Sequence, residues 1–192
     1  MKITRFGALL FSLMLPMSVA AQTAAAQADA PANVDPARVY GNMIRTAERA
    51  IVGLAEAMPE DKYSFAPAAG LFAAGQTTEF KGVRTFAQQV AHVAASNYEY
   101  LQGMGFEKDK DFAAIEKLTT KAEALQALKD SFAAAEKAAA TITPQNAFEG
   151  LGSKKTVTRA SLAAAIAWHT MDHYGQLVVY GRMNGVAPPQ SR

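Results

Sequence analysis

Cysteine is absent from all 192 residues of the chain, histidine occurs three times and tryptophan once. Without a thiol there is no disulfide framework, no thiolate nucleophile and no lipid-modified cysteine at an export signal. Long apolar runs are missing too: no stretch after the N-terminus offers the roughly 18 uninterrupted apolar residues that a membrane-spanning helix needs. A basic excess is also lacking, with 19 Lys and Arg against 17 Asp and Glu. No basic run is interleaved with aromatics, so neither a nucleic acid nor an anionic membrane surface is an expected partner.

The chain opens Met1-Lys2-Ile3-Thr4-Arg5, continues with an apolar run from Phe6 to Ala21 interrupted by Pro16, and passes the small triplet Ser18-Val19-Ala20. That pattern reads as a secretory signal peptide over residues 1–20, too short in its apolar part to remain as a membrane anchor. A periplasmic or secreted location is therefore expected. Loss of Lys2 and Arg5 with the signal would bring the basic residues to parity with the 17 acidic ones. Residues 21–34 consist mainly of Ala, Gln, Thr, Asp and Pro, have little to bury, and are expected to form a disordered leader. The remainder, 35–192, is long enough to bury a core without disulfides, since roughly 150 residues suffice.

From residue 35 the apolar positions recur at steps of three and four, the period of helices packed on helices. Asp35-Pro36 is an N-cap followed by a first-turn proline, and Tyr40, Ile44, Ala47, Ile51, Leu54 and Met58 form one stripe. Thr85 with Gln88 has capping-box spacing ahead of Phe86, Val90, Val93, Asn97 and Leu101, and Gly103 and Gly105 end that run. Thr120 with Glu123 repeats the signal before Leu125, Leu128, Phe132, Ala135, Ala139 and Ile142, with Pro144 as the stop. Thr158 opens the last stripe, Leu162, Ile166, His169, His173, Gln176 and Tyr180, closed by Gly185 and Pro188-Pro189. Four long helices and no convincing strand predict an all-α, four-helix-bundle domain. The segment from Asp61 to Arg84 carries Tyr63, Phe65, Phe72 and Phe80 and is expected to lie over one end of the bundle.

In the last helix imidazoles stand where core leucines belong. His169 and His173 are four apart, so both side chains leave the helix on one face with Cβ atoms about 6 Å apart. That separation lets two imidazoles close around one ion. His92, beside the Val90/Val93 stripe, can supply a third ligand if the second and fourth helices are neighbours. Three neutral imidazoles leave a divalent ion its full charge and an open coordination face. Zinc and nickel lead, and the ligand type alone does not separate them from cobalt, iron or copper. The competing reading is a set of core histidines bonded to backbone or to Gln176. Asp172 adjoins the pair and can orient a ring or simply face solvent. Glu99 lies two turns from His92, about 10 Å along the axis, too far to join it on an ion. Trp168, Tyr174 and Tyr180 either line a pocket or pack. No general base is identifiable, so the catalytic residues stay unknown.

Two other segments carry no chemistry. Residues 150–156, Gly-Leu-Gly-Ser-Lys-Lys-Thr, lack the ending of a phosphate-binding loop and follow a helix rather than a strand, which makes them a flexible turn. Lys108-Asp109-Lys110-Asp111 is alternating charge on a loop.

Taken together, residues 168–180, Arg182-Met183-Asn184-Gly185, Pro188-Pro189, Arg84-Thr85-Phe86 leading to His92, and Met58-Pro59-Glu60-Asp61-Lys62-Tyr63-Ser64-Phe65 resemble the DinB-like family of metal-binding bundles. The resemblance spans the chain from about Asp35 to its end. It implies an up-down-down-up bundle, a three-histidine metal site at His92, His169 and His173, and a homodimer. Relatives with known chemistry are thiol-dependent transferases and isomerases, while an export signal and a lengthened loop between Pro67 and Phe80 depart from the commoner pattern. The expected function is a metal-dependent hydrolase or thiol-dependent transferase acting on a small molecule that the sequence does not name. The alternative is a non-catalytic module holding a metal or small ligand.

Overall fold

The computed structural model describes residues 34–189. The expected signal peptide and all but the last residue of the expected leader lie outside this span. Among the described residues the fold is predominantly helical: α1 Pro36–Ala57, α2 Phe86–Gly103, a short α3 Phe112–Ile115, α4 Lys121–Ala139 and α5 Arg159–Met183, with 3-10 turns at Glu60–Lys62 and Ala69–Leu71. None of these helices is long and apolar enough to cross a membrane.

The caps read from the sequence set the helix starts. The Asp35 carboxylate accepts from the Ala37 N–H, and Thr85 and Gln88 form a reciprocal capping box. Thr158 forms one with Ser161. Thr120 departs from expectation: it accepts from the Glu123 N–H, but the Glu123 carboxylate takes the Thr120 hydroxyl at 2.6 Å instead of reaching back to the backbone. At the other end of α1, Lys121 Nζ donates to the carbonyls of Glu56 and Met58 at 2.9 and 2.7 Å. A lysine thus satisfies acceptors that the helix leaves without intrahelical donors.

Helix α1 packs on α4 and α5, and α2 packs on the same two. The stripes predicted from periodicity form the core: Ile44, Ile51 and Leu54 from α1 with Met58 just past its end, Phe86, Val90, Val93 and Leu101 from α2, and Leu128, Phe132 and Ala135 from α4. Each large aliphatic or aromatic side chain buried there contributes on the order of 1.5–3 kcal/mol. Helix α5 lies close against α1 at Gly181, where a Cβ would meet the Leu54 side chain and the Val186 carbonyl at 3.3 Å each.

One position of the α5 stripe differs from expectation. Gln176 is exposed, and Leu177 is the residue buried in its place. Thr170, His173 and Leu177 continue the buried line at steps of three and four, and Gln176 falls about 100° off it.

One connection also differs. Gly150–Leu151 and Val157–Thr158 pair as a small antiparallel hairpin, so the residues read as a flexible turn are its arms and bend. The 61–84 segment is anchored at Tyr63 and Phe65. Tyr63 is buried and its hydroxyl donates to the Ala55 carbonyl at 2.7 Å, while the Phe65 and Tyr63 carbonyls accept from Phe86 and Ala87. Phe72 and Phe80 stack on each other at 5.4 Å, with Phe72 37% exposed.

Candidate metal centre

Helices α2 and α5 bring His92, His169 and His173 together. The ring centroids lie 4.6 Å apart for His169 and His173, 4.8 Å for His92 and His173, and 5.2 Å for His92 and His169. One nitrogen from each ring can be chosen so that all three lie within 4.8 Å of one another. The Nε2 atoms of His169 and His173 are 3.2 Å apart. Two nitrogens bound to one ion at about 2.05 Å in tetrahedral geometry would stand about 3.3 Å apart. Three such donors could therefore hold a divalent ion.

The other ring nitrogens explain why Nε2 turns inward. His92 Nδ1 lies 2.6 Å from Glu116 Oε1, and with a carboxylate as the acceptor Nδ1 is the donor, which leaves Nε2 as the nitrogen free to meet a cation. A chain of amides fixes His173 in the same way. Asp172 accepts from Gln176 Nε2 at 3.3 Å, which leaves Gln176 Oε1 to accept from Gln89 Nε2 at 2.9 Å. Gln89 Oε1 then faces His173 Nδ1 at 2.6 Å and takes its proton. The acceptor-only carboxylate at the surface end thus sets the tautomer of a buried ring three hydrogen bonds away.

His169 has no such partner. Its Nδ1 is buried and unbonded among the described residues. Tyr100 and Trp168 lie beside its ring instead, each in a T-shaped arrangement with centroids at 5.9 Å.

Electrostatics keep the cluster ready for a cation. Burial, reinforced by the neighbouring His169 and His92, lowers the His173 pKa to about 4. Burial first and His92 second lower that of His169 as well. Both rings are neutral near pH 7, the form that offers a lone pair to a metal.

Sequence reasoning found all three histidines and missed what holds two of them. Glu116 lies just past α3, a one-turn helix without a periodic stripe, and Gln89 gives no sign in the sequence that it faces a ring. Of the residues weighed earlier, Asp172 acts through Gln176 and Gln89 and not on a ring directly. Glu99 is exposed. Trp168 is 60% exposed and Tyr180 donates its hydroxyl to the Arg84 carbonyl at 3.1 Å.

A family model described as the DinB superfamily matches residues 43–177, a span that contains all three histidines. No curated protein matches the chain.

Proposed function

The chain belongs to the DinB superfamily, and from that premise we propose that it is an exported metal-dependent enzyme, a hydrolase or thiol-dependent transferase acting on a small molecule. One divalent ion, zinc or nickel, is held by His92, His169 and His173. The observation that carries this reading is the convergence of three rings within 4.8 Å, two of them with Nδ1 already bonded away. An ion on three neutral imidazoles supplies Lewis acidity and lowers the pKa of a bound water toward neutrality.

The chain's own residues do the rest. Glu116 orients the His92 ring and stabilises positive charge spreading onto it, and Gln89 does the same for His173 without a formal charge. Tyr100 and Trp168 shield one flank of His169.

The bundle follows an up-down-down-up course in this reading. Three sets of contacts support it: Lys121 at the start of α4 bonds carbonyls at the end of α1, Tyr180 near the end of α5 bonds Arg84 just before α2, and Leu54 late in α1 meets Gly181 late in α5. Export rests on the signal-like pattern of residues 1–20. A homodimer is proposed to form over the face where Met43, Trp168 and Met171, 41%, 60% and 42% exposed, line an apolar cavity of about 560 Å³.

A screen of ester, amide and thiol-transfer substrates, run with and without a chelator, tests the enzymatic claim. Turnover that chelation abolishes and added zinc or nickel restores is the expected result. Turnover indifferent to chelation removes the metal from the mechanism, and metal bound without any turnover favours the non-catalytic module.

A further inference from the structure

Glu116, whose carboxylate holds His92, also lines a cavity of about 340 Å³ together with Gly82, Val83, Arg84 and Gln88. The cavity wall therefore adjoins the histidine cluster through the contact of Glu116 with His92. Arg84 is exposed and, among the described residues, takes part in no ion pair. Its backbone is fixed by the Tyr180 hydroxyl, so the guanidinium hangs from an anchored point.

Gln88 adds a donor of defined sense. Its Oε1 accepts the Thr85 N–H at 2.9 Å in the capping box, which leaves its amide nitrogen, a donor, unspent among the described residues. Arg84 and Gln88 thus offer donors without acceptors on one cavity wall. With a divalent ion on the histidines, the positive charge of ion and Arg84 exceeds the single negative charge of Glu116.

We propose that this cavity binds the carboxylate of the substrate, on Arg84 and Gln88, while the remainder of that substrate reaches the ion held by His92, His169 and His173. The inference rests on the metal-centre reading above and names the substrate class for it: a small carboxylic acid. One guanidinium with one amide matches a singly charged carboxylate in the fork geometry that arginine favours. Arg84 is the one cationic side chain lining the cavity, which suits a singly charged group better than a doubly charged phosphate.

The test uses zinc-loaded full-length protein titrated calorimetrically with malonate, succinate, glutarate and adipate, which present a second carboxylate to the ion at graded lengths. Inorganic phosphate is a separate arm, and zinc content is measured in every preparation. At least one diacid is expected to bind, and R84Q is expected to weaken it roughly tenfold to a hundredfold, the range of a lost charge-assisted hydrogen bond. R84K should fall between, and zinc content should stay at the wild-type level. Diacid binding that is absent, or undiminished in R84Q at unchanged zinc content, overturns the carboxylate site and leaves the metal centre standing. Arginine-dependent binding of phosphate alone overturns the carboxylate assignment. Zinc content in the wild type no higher than in H169A overturns the metal centre itself.

Discussion

Glu116 Oε1 lies 2.6 Å from Nδ1 of His92, a residue 24 positions earlier in the chain. The contact spans from the residue just past the one-turn helix α3 to α2. It fixes which nitrogen of His92 is free and makes that nitrogen a stronger donor to a cation.

Replacing Glu116 with Gln should therefore weaken zinc affinity roughly tenfold to a hundredfold, the usual effect of losing such an outer partner. Competition against a chelating dye measures it. E116D should recover part of the loss, and an affinity unchanged in E116Q would deny the carboxylate its positioning role.

Gln89 is 4% exposed and couples His173 to Gln176. Q89L leaves the His173 Nδ1–H without its acceptor, which should cost about 1–3 kcal/mol of stability in the metal-free protein. Urea denaturation reads this directly. Zinc affinity should fall in parallel, because nothing then selects the tautomer with a bare Nε2.

The lowered proton affinities of His173 and His169 make stability depend on pH. Between about 6.5, the unfolded value, and about 4, the folded value for His173, the unfolded chain binds more protons than the folded one. Stability of the metal-stripped protein should accordingly rise with pH across that window and fall on acidification. H173Q should show a shallower slope there. A wild-type urea midpoint flat from pH 6.5 to 4 would contradict the burial of a neutral ring.

Asn97 is fully buried, donates to Ser131 Oγ at 3.0 Å, and leaves its own Oδ1 unbonded among the described residues. S131A should cost about 1–3 kcal/mol by orphaning the Asn97 amide. The double variant N97L/S131A should be less destabilised than the sum of the singles, a coupling that thermal melts can resolve.

Much of this was legible in the sequence because the signals are local. The caps at Asp35, Thr85 and Thr158 and the stripe through Ile44, Ile51 and Leu54 depend on neighbours within a turn or two. So does the His169/His173 pair. Glu116 and Gln89 were not legible, since their partners are set by how α2, α3 and α5 fold onto one another and no spacing rule reaches across 24 or 84 positions. Gln176 was expected in the core because alternating steps of three and four permit either it or Leu177; the fold buries Leu177 and leaves Gln176 on the exposed flank, where it bonds Gln89 of α2.

The most direct test of the central claim is metal content by elemental mass spectrometry, in protein purified without an affinity tag, for wild type, H92A and H169A. About one zinc or nickel per wild-type chain and little in either variant is the expected result. Equal metal in all three would mean that the three imidazoles do not share an ion.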